Sequence, residues 1–172
     1  MAVLVYIESE ENKFKKTAYE ALSYGKALAD KMGVKVSGLV LNCSDTDSLK
    51  KYGADKIITI DNPDFEKFSS KKYSHALAEV IKSENSSVVI LSSSADSKFL
   101  GAHLSGITDS SYVSNVVGIP ESISPFVVKR TCFTNKAFSS TEMNDGLRII
   151  SVSSNSFGMI ENFNDSSVES FN

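Results

Sequence analysis

Four short apolar runs alternate with segments whose apolar residues recur every three or four positions, and this alternation constrains the chain more than any other feature. The runs are Val3-Leu4-Val5-Tyr6-Ile7, Val34 to Leu41, Lys56-Ile57-Ile58-Thr59-Ile60 and Val88-Val89-Ile90-Leu91. Each is short, rich in β-branched residues and closed by polar ones, as expected of strands buried on both faces. Between the first two, Ala18, Ala21, Leu22, Gly25, Leu28, Ala29 and Met32 form one helical face, and Gly33 stands where a helix ends. A short helix fits 47–52, stopped by Gly53. A longer helix carries Tyr73, Ala76, Leu77, Val80 and Ile81. A fourth, near 97–107, aligns Leu100, His103, Leu104 and Ile107. Strands alternating with helices at short spacing mean βαβ units, a mainly parallel sheet and helices on both faces.

The pattern changes after Asp109. Segments 112–119, 126–133, 137–143 and 147–152 read as extended, and Asn144-Asp145-Gly146 is a tight-turn signal between the last two. The expected fold is therefore a three-layer α/β/α domain with a mainly parallel twisted sheet and an added C-terminal β-hairpin. Residues 1–154 form the domain. Residues 155–172 are polar and aperiodic and read as a linker or tail, with Phe157, Met159, Ile160 and Phe163 anchoring its start.

Composition narrows the function. The net charge of −3 lacks the basic footprint of a nucleic-acid binder. No apolar run approaches the roughly 18 residues a membrane helix needs. The start lacks a basic segment and does not read as a signal peptide. Two cysteines, Cys43 and Cys132, cannot form a disulfide framework and suit a reducing cytoplasm, or the matrix in a eukaryote. Residues 87–172 carry few charges, and the chain holds 30 serines; such a low-charge surface is a hint of a partner.

Ligands of α/β sheets sit at the carboxyl ends of the strands. After the first strand, Glu8-Ser9-Glu10-Glu11 has no glycine and three carboxylates that would repel a pyrophosphate. After the fourth, Ser92-Ser93-Ser94-Ala95-Asp96-Ser97-Lys98 could hold an anion, but a simple helix cap by Ser94 or Asp96 is the better reading. His75 and His103 lie far apart without neighbouring ligands, so no metal site is expected. His103 reads as a packed histidine and His75 as a surface one. Cys43 and Cys132 read as small apolar fillers. No nucleophile elbow occurs, and no catalytic residue is assigned. One basic cluster remains, Lys129-Arg130 and Lys136 around 131–135, which suits either a partner's carboxylate or phosphate or a charged strand edge.

Several stretches in order resemble the N-terminal domain of the electron transfer flavoprotein α subunit. They are Ala2 to Glu8; Tyr52-Gly53-Ala54-Asp55-Lys56-Ile57 leading to Ile60-Asp61-Asn62-Pro63; Lys98 through Leu100, Leu104, Asp109, Ser114, Val116 and Gly118; Arg130 to Phe138; and Leu147 to Val152 running on to Phe157. The resemblance covers about residues 2–157. This chain departs from it at Ala102-His103, where the family usually has Pro-Arg, and at Asn115, Thr131 and Asn135, where Asp, Pro and Gly are usual.

The resemblance implies a domain shaped like the adenine-nucleotide α-hydrolase group that holds no nucleotide. It implies a parent α/β heterodimer that carries electrons on FAD from acyl-CoA dehydrogenases to a membrane quinone oxidoreductase, as a carrier rather than an enzyme, with a role in fatty acid β-oxidation. It implies that FAD is held mainly by a second domain beyond Asn172 and that none binds to this stretch. Arg130, Asn135, Lys136 and Ala137 then lie at the β-subunit contact or the domain junction. Two rivals are a universal-stress-type adenine-nucleotide module, which would need a glycine-rich loop after the fourth strand, and a flavodoxin-like FMN carrier, which would need a hydroxyl-rich loop after the first.

Overall fold

The computed structural model describes residues 1–171. The chain opens with β1 (Ala2–Ile7), all six residues buried. A two-rung hairpin follows, β2 (Ser9–Glu10) and β3 (Lys13–Phe14), turning through Glu11 and Asn12 at positive φ. Helix α1 (Lys16–Met32) ends at Gly33, whose φ of 66° and N–H bonds to Ala29 and Asp30 close it. Then come β4 (Lys35–Leu41), a 3₁₀ turn at Asp47–Lys51, β5 (Lys56–Ile60) and α2 (Ser70–Ser83), whose first turn is capped by Ser69. Strand β6 (Ser86–Leu91) leads to α3 (Ala95–Thr108). The back third is β7 (Ser111–Val116), β8 (Ser122–Ile123), β9 (Phe126–Cys132), β10 (Ala137–Met143), β11 (Arg148–Val152) and β12 (Ser167–Ser170).

One ten-stranded sheet runs in the order β10-β9-β7-β11-β6-β1-β4-β5-β12, with β8 paired to β9. From β7 to β12 all neighbours are parallel, and β9 runs against both β7 and β10. Strict alternation along β1 separates two cores. Val3, Val5 and Ile7 pack with Leu22, Tyr24 and Leu28 of α1, while Leu4 and Tyr6 pack with Tyr73, Leu77, Leu100 and Leu104 of α2 and α3. The three-layer α/β/α reading holds.

Two expectations need correction. The added hairpin exists, but β9 and β10 form it through Phe133-Thr134-Asn135, all at positive φ. Asn144-Asp145-Gly146 instead carries the chain from β10 to β11, and β11 does not pair with β10. It enters the sheet between β7 and β6, because Ile149 to Val152 are apolar or small on both faces and buried throughout. The polar tail, in turn, lies along the domain. Asn162 and Asn164 donate their backbone N–H to Lys51 and Lys50, and β12 adds a parallel strand beside β5, braced by a Lys56–Glu169 ion pair of 3.0 Å.

Candidate functional site

The chain leaves β1 toward the α1 face and leaves β6 toward the α3 face, so the loops diverge between these adjacent strands. Such a divergence opens a crevice at the carboxyl ends, where α/β folds take ligands. Here a side chain of the protein occupies it. Glu8, one residue past β1, is 4% exposed. Its Oε2 accepts hydrogen bonds from Ser92 Oγ at 2.5 Å and Ser97 Oγ at 3.2 Å, and its Oε1 pairs with Lys15 Nζ at 2.7 Å. Ser92 follows β6, and Ser97 lies in the first turn of α3. The β2–β3 hairpin folds the chain back so that the Lys15 N–H donates to the Glu8 carbonyl, which delivers the lysine to its partner. Ser92 is fixed from behind by Ser151 Oγ, 2.6 Å from its carbonyl.

The electrostatics follow from this geometry. Burial pushes the Glu8 carboxyl up, but the Lys15 hydrogen bond, the serine hydroxyls and the lysine's charge together outweigh it, so it sits below its ordinary value. Burial likewise opposes the Lys15 charge, and the Glu8 contact overcomes it, so that pKa is raised. The carboxylate supplies at the start of α3 the negative charge that a bound phosphate supplies elsewhere. A pyrophosphate, that of FAD included, does not suit a crevice whose anion position is taken by Glu8.

Beside the crevice lies an open cleft of about 470 Å³. Glu10, Glu11, Glu66 and Asp96 join Glu8 in its lining, against Lys15 as the one cation among the lining residues. Tyr6 lines it as well. Burial, then the nearby Tyr73, Glu8 and Asp96, push its phenol well above the ordinary value.

The serine loop after β6 is a helix cap. Ser94 Oγ accepts the Ser97 N–H at 3.0 Å, while Asp96 faces the cleft. His103 is half-buried with Nδ1 3.4 Å from Ser70 Oγ, and His75 is exposed. Cys43 is buried and Cys132 half-buried, both as free thiols. No three His, Cys, Asp or Glu side chains gather as metal ligands among the described residues.

Arg130, Asn135, Lys136 and Ala137 come together on the β9–β10 hairpin, four strands away from β1 at the other end of the sheet. Arg130 is half-buried opposite Ser139. Asn135 takes φ 63° at the turn, a left-handed conformation that glycine and asparagine adopt most readily. Lys136 is exposed, and its N–H returns to the Cys132 carbonyl at 3.1 Å. Phe133 and Phe138 stand exposed beside them, 81% and 62%, with Lys129 Nζ 4.5 Å from the Phe138 ring centre.

Sequence reasoning missed Glu8 as an internal anion. The available signal was an acid ending a wholly apolar strand, with a lysine seven residues on. It also missed Glu20, 5% exposed on α1, which accepts the backbone N–H groups of Asn155, Phe157 and Gly158, each at 2.9 Å. No local signal marked it: two positions from Ala18 and Leu22, Glu20 falls on the far side of α1 from the apolar face, where a charge reads as solvated.

The model of the electron transfer flavoprotein domain matches residues 3–171. The chain belongs to that family. Among curated relatives it is 25% identical to an electron transfer flavoprotein subunit alpha of Bacillus subtilis over 139 residues, 79% of this chain and 42% of that protein. It is 30% identical over 102 residues to the acryloyl-CoA reductase electron transfer subunit beta of Anaerotignum propionicum, 58% of this chain and 28% of that protein. It is 27% identical over 101 residues to Protein FixB of Clostridium saccharobutylicum, 58% of this chain and 30% of that protein. The chain thus spans less than half the length of these flavoprotein relatives, and the resemblance to the α subunit's N-terminal domain holds. No helix of the described residues is long and apolar enough to cross a membrane.

Proposed function

We propose that this chain is the N-terminal scaffold domain of an electron transfer flavoprotein α subunit, one that docks the β subunit and holds no cofactor itself. The parent heterodimer carries electrons on FAD, from acyl-CoA dehydrogenases or similar flavoenzymes to a membrane quinone oxidoreductase. FAD is bound mainly by a further domain of the parent. The setting is a cytoplasm, or a mitochondrial matrix in a eukaryote. The observation that carries this reading is the filled crevice. With Glu8 bound by Ser92, Ser97 and Lys15, the place where a nucleotide module would hold phosphate is occupied by the fold's own carboxylate. What remains for the domain is support and contact, and the β9–β10 hairpin offers two exposed phenylalanines among cations.

The test has two arms. The native protein purified from its source is expected to be yellow and to carry a second subunit; a colourless protein without one would sink the reading. Arg130→Ala combined with Lys136→Ala is expected to weaken the affinity for the β subunit roughly tenfold, as loss of charge-assisted contacts does. Unchanged affinity would remove the hairpin from the interface.

A further inference from the structure

The cleft beside Glu8 carries chemistry that a scaffold role leaves unused. We propose that it is a binding site for a small free organic cation, an alkylammonium or alkylguanidinium. This inference stands apart from the docking role of the hairpin and does not depend on it.

Three observations converge. The first is an aromatic wall. Tyr6, Phe65 and Phe68 all meet Tyr73 edge-on, with ring centres 6.2, 5.4 and 5.1 Å away, and all four line the cleft. Organic cations bind such rings through the negative face of the π system. The second is charge. Lys15 is held by Glu8 and, at 3.4 Å, by Glu10, whereas Glu11, Glu66 and Asp96 make no ion pair among the described residues. An anion entering the cleft would meet uncompensated carboxylates, and a cation would be attracted.

The third observation is Tyr6 itself. The residue is only 5% exposed and lines the cleft, and its hydroxyl makes no hydrogen bond to the protein among the described residues. Unlike the sealed Tyr112 hydroxyl, that of Tyr6 is reached from the cleft, where an N–H donor can replace water on its oxygen. A bare metal ion fits less well, because no three acidic, histidine or cysteine side chains converge at ligand spacing among the described residues. The volume of about 470 Å³ lies within the range of small-molecule pockets.

Amide shift titration of the 172-residue chain, with n-butylguanidinium and n-butylammonium as probes, tests the proposal. Saturable shifts are expected at Phe65, Tyr73 and Asp96, and n-butanol, the uncharged control, is expected to give none. Asp96→Asn is expected to weaken binding about fivefold or more, and Tyr6→Phe about threefold. If Tyr6→Phe disturbs folding, the exposed Glu66→Gln takes its place, with a loss of about threefold expected. Equal binding of n-butanol, shifts spread evenly over all surface carboxylates, or unchanged affinity in Asp96→Asn would overturn the site. Tighter binding of acetyl-arginine amide than of n-butylguanidinium would assign the cleft to a partner's side chain and overturn the free-ligand reading.

Discussion

Replacing Glu8 with glutamine removes one charge from the crevice between β1 and β6 while keeping the side chain's shape. The wild-type carboxylate receives three hydrogen bonds, from Lys15, Ser92 and Ser97. Bonds to a charged group contribute about 1.5–3 kcal/mol each against an unsatisfied state. Glutamine retains one acceptor oxygen, and the serine hydroxyls can rotate to accept from its NH2, so much of this survives. The Lys15 side chain is 32% exposed, so water takes up part of its stranded charge. That places the loss below the 3–5 kcal/mol of a fully buried broken pair. The expected cost is about 2 kcal/mol, or a fall in Tm of roughly 4–8 °C for a chain of this size.

The pH dependence has a definite sign. The folded Glu8 carboxyl sits below its ordinary 4.5, so the unfolded chain binds the proton more readily. Its contribution is complete above that ordinary value and is lost as pH falls through the lower folded value. Glu8→Gln has no such proton. Urea denaturation of both proteins should therefore show the full gap at pH 7 and a narrowing gap below pH 4.5. No gap at pH 7, or one that stays constant into acid, would refute the account of Glu8 as a buried, paired carboxylate.

Two further substitutions probe other parts of the fold. Glu20→Gln sets an amide donor against the backbone N–H groups it now accepts, so hydrogen exchange at Asn155, Phe157 and Gly158 should speed up about tenfold or more while β1 is unchanged; unaltered exchange there would show that Glu20 does not hold the tail. Gly101→Ala brings a Cβ to 2.6 Å from the Tyr112 ring and 3.0 Å from Leu91, and overpacking of this kind should cost about 1–3 kcal/mol in chemical denaturation.

The elements that were legible in the sequence are those whose burial is symmetric. β1, β4, β5 and β6 are buried nearly throughout and read as unbroken apolar runs, and α1 and α2 each bury one apolar face. The misplaced hairpin turned on a local signal outweighed by a wider one. Asn144-Asp145-Gly146 favours a tight turn, but Ile149-Ile150 needs cover on both faces, which only a central strand has. β10 alternates exposed and half-buried residues, the mark of an edge. β12, Ser-Val-Glu-Ser, is exposed at all four positions and has no hydrophobic signature. It is placed by distant partners such as Ala54, whose carbonyl accepts from Ser166 Oγ at 2.6 Å, and no local pattern encodes such partners. At the site, the excess of acid after β1 was legible. That Glu8 reaches across to Ser92 and Ser97, 84 and 89 residues away in sequence, was not.

A carboxylate built into the crevice cannot be diluted. A domain that fills this place with a borrowed phosphate gains stability only in proportion to the logarithm of ligand concentration, so its firmness rises and falls with the cell's supply. Here the anion travels with the chain from synthesis onward. The β1–β6 junction therefore keeps its anion at any level of free phosphate around it.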